Sequence, residues 1–330
     1  MCPVLPSLRL RQTGKNKKMD VRDIVRKAWQ ITQVHLKKLI WYGFTPAFFG
    51  VIVSSVYLAY QYNAFKHSVL FESASHTDVI GVAKTVWSLA SLHWGVSVTL
   101  IIIGIIVLLG YVLTPPIFRG TLIHALMQIR KYESIEGSVE VGVRHFFPMF
   151  EFALLTGAFS VTTLFTESSF ILRWWGENIF FLALPILLFI AMAGLIISFL
   201  FTYAEYYIVL RDHTLIKSLM ESAILVIANL KKTILVFVLM LLIGARIVLN
   251  VLLVLLIPMM VVGVTSYLAT VFLSAFGMIF IGLAGLGVLI VSSYLLGLFH
   301  IFATAVWVLT FAALTERSET HAPKEASAEP

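Results

Sequence analysis

Charged side chains are scarce in this chain: they make up 12% of 330 residues, about half the share of an ordinary soluble domain. So little charge cannot cover a globular surface in water, which argues against a soluble enzyme or binding module. Cysteine occurs once, as Cys2, so neither an internal disulfide framework nor a multi-cysteine zinc site is available. HExxH, CxxC, the lysine-bearing phosphate loop, the dinucleotide glycine fingerprint and the serine elbow are all missing. The nine histidines are scattered, and their nearest grouping with a carboxylate, His67, Glu72 and His76, reads as a solvated loop. We therefore expect no metal, no cofactor and no catalytic residue.

Apolar sequence is what the chain has in abundance, with 59% hydrophobic residues and a mean hydropathy of +0.95. A membrane span needs about twenty predominantly apolar residues. Six stretches qualify: Leu39 to Tyr62, Trp94 to Leu113, Phe146 to Thr166, Ile179 to Tyr203, Thr233 to Ile257 and Leu283 to Leu314. The expected fold is all-α, a polytopic transmembrane bundle of about six spans. Residues 20–314 form its single domain, between a disordered basic N-terminus (1–19) and a disordered tail (315–330). The apolar segment 258–282 leaves six spans and seven both open; a stretch lying in the outer leaflet keeps the number at six.

Basic residues separate the connections. Twenty of the 24 lie in the two ends and the 115–145 and 211–232 connections, and only Lys66, Lys84 and Arg173 lie on the opposite side. The positive-inside rule then places both termini in the cytoplasm of a bacterial-type cell membrane. The same asymmetry explains the basic pI through contact with anionic lipids, and nucleic acid is not an expected partner.

Each basic connection carries an amphipathic stretch leading into a span. Val21, Ile24, Ala28, Thr32 and Leu39 recur at helical spacing, opposite the interfacial basic residues Arg22, Arg26, Lys27, Lys37 and Lys38. Ile216, Leu219, Met220, Ala223, Ile227 and Leu230 repeat the spacing and run into "NLKKTIL", whose Lys231 and Lys232 match the pair in "HLKKLIW". A weaker middle copy ends in "RHFFPMF", with Arg144 and His145 in place of the lysine pair. Three helical hairpins are one reading of this pattern; the other is that any cytoplasmic lead-in is basic and amphipathic. Pro115 and Pro116 end or kink the second span and start a helix lined by Phe118, Leu122, Ala125, Leu126 and Ile129.

The entries "EGSVEVGVRHFFPMFEFALLTG" and "LRDHTLIKSLMESAILVIANLKKTI", with the six-span layout, resemble the bacterial glycerophosphoryl diester phosphodiesterase membrane-domain-like proteins and related six-helix families. The resemblance covers roughly residues 20–314. It implies a membrane unit, and because this chain carries no phosphodiesterase barrel it implies neither hydrolysis nor catalytic residues.

One basic residue falls inside a span. Arg246, in "GARIVLN", lies one helical turn before Asn250, so the two share a face. They form a candidate intramembrane polar site, with Glu205 and Glu167 as possible carboxylate partners. The pair either fixes helix packing or holds an anionic headgroup or carboxylate. Aromatic residues near the span ends, among them Trp41, Trp94, Trp174, Trp175, Tyr203, Tyr206 and Tyr207, read as interfacial anchors. Glycines 277, 282, 285 and 287 read as small-residue packing faces. The expected function is a non-catalytic membrane scaffold or accessory subunit, with other membrane protein subunits or a second copy as partners. The alternative is a transporter or lipid-handling protein that uses Arg246 and Asn250.

Overall fold

The computed structural model describes residues 21–66, 94–132, 135–246, 249 and 274–321, and every regular element among them is a helix. In chain order these are α1 (Val21–Val34), α2 (Leu36–Lys66), α3 (Trp94–Tyr132), α4 (Ser138–Arg144), α5 (Phe146–Gly157), α6 (Val161–Leu200), α7 (Ala204–Arg211), α8 (Leu215–Ala228), α9 (Leu230–Arg246) and α10 (Ser274–His321). Four helical stretches are long and apolar enough to cross a membrane, or five when α8 and α9 are taken as one bent pair. This is the architecture of a multi-pass membrane protein. Cys2, the His67, Glu72 and His76 grouping, Asn250, the open segment 258–273 and the last nine residues lie outside the described residues.

α6 is not one continuous rod. It starts at Ser160, whose Oγ accepts the Thr163 amide, and its single non-helical residue is Gly176 (φ 81°, ψ 179°), a conformation that only glycine adopts without strain. Phe159 and Gly194 would stand about 52 Å apart along a straight helix. Yet a Cβ added at Gly194 would lie 2.7 Å from the Cβ of Phe159. The chain therefore reverses at Gly176, and the two halves of α6 form an antiparallel hairpin between the stretches expected as third and fourth spans.

The structure repeats one unit three times. α1 breaks into α2 at His35, α4 into α5 at His145, and α8 into α9 at Asn229, the last with a bend of 99°. At each elbow the amide of the break residue donates to the carbonyl four residues back: His35 to Ile31 (3.0 Å), His145 to Val141 (3.1 Å) and Asn229 to Leu225 (3.1 Å). Its carbonyl in turn accepts from the amide four residues on: Leu39 (3.0 Å), Met149 (3.1 Å) and Thr233 (3.0 Å). The residue seven before the elbow (Ala28, Ser138, Ser222) and the one four after it (Leu39, Met149, Thr233) are at most 2% exposed in all three copies.

This alignment corrects the register of the middle copy by three residues. His145 is equivalent to His35 and Asn229, so the lysine-pair positions are held there by Phe147 and Pro148. Bulky apolar side chains weakened the sequence signal. Each elbow helix packs on another helix: α1 on the long α10, α4 on the long α3, and α8 on the short α7 that follows α6. Because the last helix supports the first, the arrangement closes on itself.

The apolar stripe of α8 points away from this packing. Ile216, Met220, Ile224 and Ile227 are 60 to 73% exposed, whereas Ser218 and Ser222 are fully buried. Ser222 Oγ donates to the Leu200 carbonyl (2.8 Å) and accepts the Tyr203 amide (3.0 Å), bridging the break between α6 and α7. In a helix set almost at right angles to a span, an exposed apolar stripe and a buried polar one suit a protein lying in a lipid interface.

The core sits at the elbow end, where α3, α7 and α10 meet through Leu122, Ile123 and Leu126, Tyr203, Tyr206 and Ile208, and Ile301, Val306 and Phe311. Tyr203, Tyr206 and Tyr207 are thus core residues packed around Phe311, and not the interfacial anchors expected; Trp41, Trp94, Trp174 and Trp175 remain more than half exposed. α3 runs unbroken through Pro115 and Pro116, which leave the carbonyls of Tyr111 and Val112 without their intrahelical donors. Away from the core, Leu100, Ile101, Ile102 and Ile103 are each more than half exposed, which covers every side of α3 and suits a lipid environment. α10 continues past the expected boundary at 314 to His321, and Glu316 pairs with Arg130 there.

α2 and α10 cross at Gly43 and Gly297, where a Cβ on Gly297 would fall 2.8 Å from the Phe44 amide nitrogen. Gly285, expected at a packing face, meets nothing within 4 Å, and the same holds for Gly287. Gly297→Ala should therefore cost roughly 1–3 kcal/mol by overpacking, whereas Gly285→Ala should be neutral or slightly stabilising. Thermal unfolding of the two purified variants checks this; equal midpoints would contradict the crossing.

Candidate functional site at the elbow end

Polar side chains inside a span need partners, because lipid offers none. The most deeply placed ion pair among the described residues joins α3 to α7, with Arg119 Nε donating to Glu205 Oε2. Glu205 is 7% exposed, sits in the first turn of α7 and is carried inward by the break at 201–203. Arg119 keeps 43% of its side chain accessible. His300 of α10 stands within electrostatic reach of the guanidinium and is itself partly exposed; Tyr206 borders the pair and is buried.

Two further ties link the units at this end. Arg144 Nη2 and His145 Nε2, at the middle elbow, both donate to Asp212, each at 2.8 Å. Asp212 ends α7 in the left-handed conformation (φ 54°), one of the few that asparagine and aspartate share with glycine. The hydrogen bond from His145, then the charge of Arg144, holds its carboxyl below the usual value of 3.8. Arg130 Nη2 bridges both oxygens of Glu316, at 2.8 and 3.0 Å, joining α3 to α10. Near the opposite end, Gln61 links α2 to α6 by donating to Tyr57 (2.7 Å) and accepting from Ser169 (2.8 Å). Among the described residues no set of three or more His, Cys, Asp or Glu is placed to hold a metal ion.

The expected site at Arg246 is not assembled among the described residues. Arg246 is exposed at the end of α9, Asn250 is outside the described residues, Glu167 is exposed on α6, and Glu205 is taken by Arg119. Arg246 stands about 24 Å from the start of α9. In a hydrocarbon core about 30 Å thick, that is near enough to the far boundary for the side chain to snorkel into the headgroups. Arg22, Arg26, Lys27, Lys37, Lys38, Lys231 and Lys232, expected at an interface, are all exposed.

Arg119 and His300 escaped the sequence reading. In the sequence Arg119 falls in a connection just after a proline pair that can end a span, and its partner lies 86 residues away. A useful signal was the apolar face of Leu122, Ala125 and Leu126 directly after it, which argued for a helix continuing at the same depth. His300, alone in a long apolar run, was a second such signal.

Two outcomes follow from these pairs. Glu205→Leu should lower the unfolding midpoint by leaving Arg119 without its counter-charge, and adding Arg119→Met should restore most of the loss; additive losses would mean that the pair is not coupled. Because Asp212 has a depressed pKa in the fold, its stabilising contribution is complete above the unfolded value of 3.8 and is lost as the pH falls through the folded one. The midpoint difference between wild type and Asp212→Asn should thus shrink as the pH falls from about 5 to below about 4. Thermal scans across this range read it directly.

No protein-family model, no curated protein and no solved structure matches this chain.

Proposed function

We propose that this chain is a non-catalytic integral membrane protein that serves as a scaffold or accessory subunit. It crosses a bacterial-type cell membrane six times, with both termini in the cytoplasm. The count takes α2, α3, α5 with the first half of α6, the second half of α6, α9 and α10. α1, α4 and α8 are then the interfacial helices of three repeated units. Their basic residues contact anionic lipids, and other membrane subunits or a second copy occupy part of the apolar surface. This is also the layout of the membrane-domain-like families that the sequence resembles.

One observation carries the reading: among the described residues, the ion pairs at the elbow end join different helices of the bundle. Arg119 to Glu205 spans α3 and α7, Arg130 to Glu316 spans α3 and α10, and Arg144 with His145 reaches the end of α7. Side chains used in this way hold a shape. Transport by rocking of repeats would need such ties to exchange partners.

Gentle extraction from the native membrane followed by native mass spectrometry should show the chain with companion subunits or as a defined oligomer. Turnover of a lipid, or movement of a solute, by the purified chain alone in liposomes would overturn the proposal.

A further inference from the structure

We infer that the half-satisfied guanidinium of Arg119 receives a phosphate group, in the first place that of a phospholipid headgroup from the leaflet on the elbow side. The inference rests on the membrane-spanning part of the proposal above and adds a site to it. Arg119 meets Glu205 through Nε alone, so among the described residues its two terminal nitrogens carry four N–H donors with no protein acceptor. These donors form the flat fork that binds two oxygens of a phosphate side by side. The pair is also asymmetric: its anionic end is 7% exposed, while 43% of the Arg119 side chain is accessible. The accessible side of the pair is therefore the electropositive one.

Depth points to a lipid. Trp94, exposed at the other end of α3, is the kind of residue that marks an interface. Arg119 lies 25 residues further along the helix, about 37 Å at 1.5 Å per residue. The hydrocarbon core is about 30 Å thick, and the headgroup layers extend the whole to about 40–45 Å. Arg119 thus stands at the level of the phosphates on the elbow side, where donors unused by protein meet acceptors that the membrane itself provides. Glu205 already balances one positive charge, so a singly charged phosphodiester suits Arg119 better than a doubly charged monoester.

The test uses the full chain, purified in detergent and stripped of lipid, with phosphatidylglycerol and inorganic phosphate added in separate titrations and read by native mass spectrometry. Wild type should hold one phosphatidylglycerol, with occupancy falling at least tenfold in Arg119→Lys, which keeps the charge opposite Glu205 but loses the fork. If that variant melts early, Arg119→Gln combined with Glu205→Gln leaves no charge unpaired and replaces it. An Arg119-dependent response to inorganic phosphate without one to lipid would support the same phosphate chemistry from a soluble source. Unchanged lipid and phosphate binding in folded variants would overturn the site. Release of the chain from membranes by alkaline wash without detergent would instead defeat the membrane reading on which the site rests, whichever variant is used.

Discussion

A chain that leaves the surface of a membrane to cross it must turn sharply without leaving its amides unbonded, since nothing in the hydrocarbon can accept them. Three elbows among the described residues turn the chain sharply while keeping it bonded. His35, His145 and Asn229 each keep the four-residue hydrogen-bond pattern on both sides of the break, so direction changes while the ladder continues. The rest of the fold follows from holding those turns in place. A small residue seven positions before each elbow lets the lead-in helix approach its supporting helix, and a buried residue four positions after it seats the next helix. Ser222 shows the economy of the device, because one hydroxyl packs α8 and also bridges the break into α7.

Two of the supporting helices, α3 and α10, are longer than a bilayer requires, and this sets where the core lies. α3 extends through two prolines into a segment whose buried side chains join those of α7 and α10. Toward the other end the same helix is exposed on every side. The asymmetry fits a multi-pass membrane protein whose internal order is concentrated at one end of its helices. Ion pairs at that end are placed between units, where they oppose sliding of one unit past another.

Much of this was legible in the sequence, and the losses have physical causes. Helical character, the lead-in helices and the reversal between the third and fourth apolar stretches were readable, because amphipathic period and apolar length are local properties. The register of the middle elbow was not, since Phe147 and Pro148 stand where lysines advertise the other two. Nor was the role of Tyr203, Tyr206 and Tyr207: an aromatic residue near a span end can anchor at an interface or enter a core, and contact with Phe311 on a helix a hundred residues away decides which.

The arginines show why charge within an apolar run is an incomplete guide. Arg246 stands out in the sequence because its surroundings are uniformly apolar, but near the far end of a span an exposed arginine can satisfy itself by reaching outward. Arg119 looks ordinary, lying just after a proline pair in a stretch that contains other basic residues. Its position becomes meaningful only once α3 is known to continue and α7 to break inward, which together bring a carboxylate to one edge of the guanidinium and leave the other edge open. Chemical potential in this chain therefore depends less on which charges lie deepest in apolar sequence than on which ones the fold has only half satisfied.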